Sequence, residues 1–161
     1  MRLISLSLRS AFLLTIFGLL FVSCGNDDDN DDLMIVAPEV QIAQFMADNN
    51  ITDTMMTSSG LVYVIDEAGN AEKPNLNDNI TINYQGYLID GTVFDETPGT
   101  PRSFPLGNLI LSWQEGIQLI GRRGKIKLIS PPNLAYGNRG SGALIKPGDV
   151  IVFDIELLDF N

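Results

Sequence analysis

Histidine is missing from all 161 residues, cysteine occurs once, and only 10 basic residues stand against 20 acidic ones. Each shortage removes a class of chemistry. Without histidine there is no imidazole base near neutral pH, no histidine-dependent triad and no imidazole-held zinc. A single cysteine, Cys24, excludes an intramolecular disulfide and a cysteine-cluster metal site. The formal net charge of −10 argues against nucleic acid as a partner, because phosphate neutralisation needs a basic face. No metal and no cofactor is implied by the residues that remain. The length suits one domain with short additions.

The apolar residues are unevenly spread. Residues 1–23 hold Arg2 and Arg9, no acid, and a 12-residue uncharged run from Ala11 to Val22. A bilayer crossing needs about 20 residues, so this run is too short to span one. A basic start, a short apolar region and a small residue before a break describe a secretory signal. Phe21-Val22-Ser23-Cys24 resembles a bacterial lipobox, which makes Cys24 the lipidated first residue of an exported protein. Several acyl chains on one residue would meet the requirement for stable membrane attachment. That implies a lipid anchor on a bacterial cell membrane, with the outer membrane, periplasmic or surface face, as the expected location.

Removing the signal takes away two arginines and no acids, which moves the formal charge from −10 to −12. Five of the acids lie in Asp27–Asp32, a self-repelling run that reads as a solvated tether. Their alternation resembles a calcium loop, but Asp32 stands where glycine is needed and Pro38 where a bidentate glutamate is needed. The expected segments are therefore a signal over 1–23, an anchored tether over 24–33, a helix and connector over 34–59, and a folded domain over 60–161.

Ile42, Phe45 and Met46 recur at helical spacing after Pro38, and Asn49-Asn50 is a suitable stop. Thr52–Ser59 is polar and reads as a connector. Strands are expected at Leu61–Ile65, Asn79–Leu88, Lys125–Ile129 and Val150–Leu158, the second and last with alternating apolar residues. Asp90-Gly91 is a strong hairpin signal that returns the chain through Thr92-Val93-Phe94. Ile110, Trp113, Ile117 and Ile120 repeat at helical spacing, with Gly121 expected as the C-cap. Arg122, Arg123, Lys125 and Lys127 read as a solvated basic edge. One short helix against a strongly bent antiparallel sheet makes an α+β domain.

Tyr84-Gln85-Gly86-Tyr87-Leu88-Ile89-Asp90-Gly91-Thr92-Val93-Phe94-Asp95 is similar to the first signature of the FKBP family of peptidyl-prolyl isomerases. Leu106-Gly107, Ile110, Trp113 and Glu115-Gly116 resemble its central helix segment. Leu134-Ala135-Tyr136-Gly137 and Val152–Leu158 resemble its C-terminal half, so the likeness runs from about Gly60 to Asn161 in the family's order. The resemblance implies a bent antiparallel sheet wrapped around one short α-helix, and rotation about Xaa-Pro bonds in exported proteins as they fold. It implies proline-containing polypeptides as partners and the family's macrolide inhibitors as ligands.

Carried over residue by residue, the resemblance gives a pocket of Tyr84, Phe94, Leu109, Ile110, Trp113, Tyr136 and Phe153. Trp113 would be its floor, with Tyr84, Phe94 and Phe153 as walls. The backbone N–H of Ile110 and the hydroxyl of Tyr136 would bond substrate carbonyls. Asp95 would lie at the edge with its carboxylate held by Tyr84, and Ile145 would close one side. Arg102 stands where the family often has an aromatic residue, Ser112 where glycine is common, and Lys146 where proline is usual. A non-catalytic module that grips proline-containing chains would use the same pocket.

The chemistry of rotation agrees with the composition. Turning a prolyl bond breaks no covalent bond, and its barrier comes from amide resonance. A dry apolar pocket with one or two hydrogen bonds lowers that barrier without base, nucleophile or metal.

Overall fold

The computed structural model describes residues 36–161; the expected signal, Cys24 and the acidic tether lie outside the described residues. The chain opens with helix α1 (Pro38–Asp48), followed by the two-residue strand β1 (Met55–Met56) and strand β2 (Val62–Glu67). Strands β3 (Asn79–Leu88), β4 (Val93–Glu96) and β5 (Arg102–Pro105) come next, then a 3₁₀ turn (Leu106–Asn108) and helix α2 (Leu111–Ile117). Strand β6 (Gly124–Ser130), a second 3₁₀ turn (Pro132–Leu134) and strand β7 (Ile151–Phe160) complete the order. Among the described residues no helix is long and apolar enough to cross a membrane.

The strands form one antiparallel sheet in the order β1-β2-β6-β7-β3-β4, with β5 also paired to β3. The period of two divides their side chains between the faces. On β7, Ile151, Phe153, Ile155 and Leu157 join Ile80, Ile82 and Tyr84 of β3 and Ile126 and Leu128 of β6 in the main core. Helix α2 fills the hollow of that face, burying Trp113 and Ile117. Gly116 allows this approach, since a Cβ there would stand 2.5 Å from Leu128 Cδ2.

The opposite face carries a second core. Ile42 and Phe45 of α1 are buried against Val62, Ile129, Val150 and Val152, with Met46 partly buried beside them. Pro38 lies in the first turn, where its missing N–H leaves no bond unmade. An 11-residue helix is marginal alone, so this packing is what holds it.

Three local readings need correction. The Thr52–Ser59 connector contains β1, whose Met55 and Met56 pair with Tyr63 and Val62. Gly121 does not cap α2, which ends at Ile117 with Gln118 in the C-cap position. Gly121 is needed instead for close approach, because a Cβ there would meet the Asn70 carbonyl and stand 2.6 Å from that of Glu72. Of the solvated basic edge, Arg123 is exposed as expected, while Arg122, Lys125 and Lys127 are held in ion pairs. Lys125 bonds Glu67 at 2.6 Å, and Arg122 bonds both Glu72 and Asp159 at 2.5 Å while stacking on Phe160. Lys127 pairs with Asp154 and donates to Tyr87 Oη at 2.7 Å. Although burial pulls its pKa down, bonds to Asp154 and Tyr87 leave it raised.

Candidate functional site

Aromatic side chains from three strands and one helix converge over the concave face of the sheet. Tyr84 and Phe153 come from β3 and β7, Phe94 from β4, and Trp113 from the first turns of α2. Trp113 meets Tyr84 edge-to-face at 5.0 Å between centroids and Phe153 at 5.1 Å. Phe94 stands nearly perpendicular to Phe153 at 5.6 Å. Such edge-to-face pairs favour one arrangement of the rings beyond the area they bury.

These rings line a cavity of about 380 Å³, large enough for a few residues of peptide. Tyr84, Phe94, Asp95, Leu109, Ile110, Trp113, Tyr136, Ile145 and Phe153, the nine residues expected from the sequence, all border it. Phe104 of β5 and the loop Ser141–Leu144 border it too, and neither was among the expected site residues. Phe104 packs on both Tyr84 and Trp113 with centroids 6.4 Å apart in each case, forming the wall beside Arg102. Its signal was short: a four-residue strand that follows Pro101 and ends in Pro105 resembles a loop.

Gly86 makes the close approach of two walls possible. It pairs with Phe153 across β3–β7 and with Asp95 across β3–β4. A Cβ on Gly86 would stand 2.6 Å from Phe94 Cε2 and 2.7 Å from Phe153 Cε1.

The polar groups are few. Tyr84 Oη donates to Asp95 Oδ2 at 2.5 Å and accepts from Arg102 Nη1 at 3.1 Å. Arg102 also lies 3.4 Å from Asp95 Oδ1, so it steadies the tyrosine–aspartate pair. Burial, reinforced by the bond to Asp95, pushes the Tyr84 pKa up to about 12. Tyr136 is also raised, by burial first and the Asp95 charge second. Both hydroxyls therefore remain protonated throughout the neutral range.

An amide N–H and a hydroxyl beside the cavity have no internal acceptor among the described residues, and the buried Trp113 Nε1 has none either. Ile110 is the N-cap of α2, and its N–H finds no acceptor among the described residues. The same peptide is held from its other side, because Gln114 Nε2 donates to Leu109 O at 2.7 Å. The Tyr136 hydroxyl likewise makes no internal hydrogen bond among the described residues. An apolar enclosure with two unpaired donors can desolvate an amide and hold its flanking carbonyls. Among the described residues no cluster of His, Cys, Asp or Glu is arranged to hold a metal ion.

Sheet, helix and aromatic cavity together define an FKBP-like domain. The family model for FKBP-type peptidyl-prolyl cis-trans isomerases matches residues 70–158, and the chain belongs to that family. It is 50% identical over 105 residues to FkpA of Escherichia coli, an alignment covering 64% of this chain and 38% of that protein. It is 37% identical over 114 residues to the peptidyl-prolyl cis-trans isomerase Mip of Coxiella burnetii, covering 70% of this chain and 50% of Mip. A crystal structure of a peptidyl-prolyl cis-trans isomerase from Pseudomonas syringae superposes with a TM-score of 0.67 at 29% identity, covering 78% of this chain and 97% of that one. The chain thus spans half or less of the two curated relatives.

Proposed function

We propose that this chain is a peptidyl-prolyl cis-trans isomerase that acts on exposed Xaa-Pro bonds of exported proteins during their folding. The observation that carries this is the pairing of a ring-walled cavity with the unbonded Ile110 N–H and Tyr136 hydroxyl. The prolyl ring sits over Trp113 between Tyr84, Phe94 and Phe153, while the two donors take carbonyls on either side of the rotating bond. A planar amide is polar and well solvated by water. As it twists, resonance is lost, the carbonyl becomes less polar and the nitrogen pyramidal. An apolar wall that strips water therefore favours the twisted form over the planar one, and that difference is the catalysis. The uncatalysed barrier is about 18–20 kcal/mol.

Asp95 acts on this reading through Tyr84, holding the wall tyrosine in place, with Arg102 closing the network. Ile145 and the Ser141–Leu144 loop bound the cavity on the side of Tyr136. The same cavity would take the family's macrolide inhibitors. The test is a prolyl-tetrapeptide isomerisation assay with and without such an inhibitor. Acceleration that the macrolide abolishes supports the reading, and peptide binding without acceleration replaces it with a non-catalytic proline-binding module.

We also infer that Cys24 carries lipid and tethers the domain to a bacterial membrane, with Asp27–Asp32 as spacer. The support is the basic, apolar and small-residue pattern that ends at the one cysteine. Cys24→Ser should release soluble, unlipidated protein. A variant that stays with membranes after a high-salt wash, with no acyl mass on the wild type, would refute the anchor.

A further inference from the structure

We propose that the surface for substrate continues beyond the aromatic cavity, across the loop at Leu144, on to helix α1. It forms a trough of mixed aliphatic and acidic lining for the extended polypeptide flanking the target proline. This rests on the isomerase reading above. Next to the cavity lies a shallow depression of about 150 Å³, and beyond it a groove of about 540 Å³ along α1. Leu144 borders both the aromatic cavity and the depression. Gln41, Ile89 and Asp149 border both the depression and the groove. The three hollows therefore adjoin one another in a row, with Leu144 between the first two.

The outer side of α1 carries Glu39, Gln44 and Asp48, and Val40 interrupts that polar pattern. One side of the helix is spent on the sheet through Ile42 and Phe45. A helix serving only as a cover would be polar on the other side. Here Val40 is 57% exposed and Val36, just before the helix, 50%, and both border the groove. Leu144, at the junction with the cavity, is 45% exposed. Val36, Val40 and Leu144 give the path its exposed aliphatic contacts.

Continuity with the cavity identifies the occupant. The residue before a proline is held out of the helical region by the pyrrolidine ring, so the chain leaves the cavity extended. Eleven helical residues span about 16 Å, which about five extended residues cover. Asp48, Asp90 and Asp149 border the path against one cation, Lys146. The fitting segment is thus apolar, with basic rather than acidic residues between its apolar ones.

The test uses the protein with three substrates: a prolyl tetrapeptide, the same core extended by about six apolar residues on each side, and an equally long version with serine and glycine there. Binding of the long peptides is read by fluorescence anisotropy, and turnover of the tetrapeptide by the isomerisation assay. The apolar peptide should bind about tenfold more tightly than the polar one. Val40→Glu, at an exposed position, should abolish that difference and leave tetrapeptide turnover unchanged. Val36→Glu is the second variant, and unfolding midpoints confirm that both retain the fold. Equal binding of the two long peptides by the wild type, or an unchanged preference in both folded variants, overturns the trough. Absence of tetrapeptide turnover in the wild type refutes the isomerase reading instead, and the anisotropy still decides the trough.

Discussion

Replacing Gly86 by alanine adds one methyl group at the place where two pocket walls meet. That methyl would stand 2.6 Å from Phe94 Cε2, 2.8 Å from Phe94 Cζ and 2.7 Å from Phe153 Cε1. Carbon atoms in contact prefer about 3.5–4.0 Å, so the two rings must recede together by about 1 Å. Overpacking of this kind costs about 1–3 kcal/mol, against which loss of glycine flexibility in the unfolded chain returns about 0.4–1 kcal/mol. Gly86→Ala should therefore fold, with a modestly lower denaturant midpoint. Its activity should suffer far more, because a 1 Å misplacement at a reacting centre can cost about 100-fold. Phe94 meets Phe153 at 5.6 Å and Phe153 meets Trp113 at 5.1 Å, so displacement of the first pair is passed to the floor. The assay is kcat/KM on a prolyl tetrapeptide alongside urea unfolding of the same preparation. Adding Phe94→Leu to Gly86→Ala relieves one of the two ring contacts and should recover part of the stability without recovering activity. A folded Gly86→Ala protein with wild-type kcat/KM would show that the placement of the walls does not matter and refute the reasoning.

Three further outcomes follow from the same geometry. Tyr136→Phe keeps the ring and removes one donor, so it should raise the barrier by about 0.5–1.5 kcal/mol; an unchanged kcat/KM would exclude its hydroxyl from the reaction. Gln114→Glu places an acceptor against the Leu109 carbonyl and should shift the Ile110 amide resonance in a ¹⁵N–¹H spectrum while lowering kcat; an unmoved resonance would refute the link. Phe45→Ala empties the contact between α1 and the sheet and should destabilise the protein by about 3–5 kcal/mol, measured by denaturant midpoint; a loss under 1 kcal/mol would show that the helix adds little.

Periodicity made the long elements legible. The alternation in β3 and β7, the Asp90-Gly91 turn and the helical spacing through Trp113 each encode local geometry in the side chains themselves. Gly91 indeed sits at φ +87°, the conformation such a turn demands. The nine site residues were found through ordered motifs, and their convergence on one cavity depends on pairings such as Gly86 with Phe153. What escaped was short or long-range. Strand β5 has four residues, the last of them Pro105 and the first directly after Pro101, and β1 has two, so neither shows a sustained alternation. Gln114 was indistinguishable from any exposed helical glutamine until its reach to Leu109 was seen. The ion pairs of Arg122 and Lys127 escaped because Glu72, Asp159 and Asp154 lie 27 to 50 residues away in sequence.

The central claim is that desolvation and two carbonyl donors, rather than proton transfer, lower the rotation barrier. The pH dependence of kcat/KM tests it most directly. Tyr84 is held near 12 and Tyr136 is also raised, so both hydroxyls stay protonated well above neutrality. The unfolded chain would ionise its tyrosines near 10, so the stabilisation from these buried neutral rings is complete below about pH 10 and fades above it. Uncatalysed isomerisation takes about 10–100 s at 25 °C, slow enough for modest acceleration to be read at every pH. The account predicts a flat kcat/KM from about pH 6 to about pH 9. A bell-shaped profile centred on a neutral pKa would contradict it.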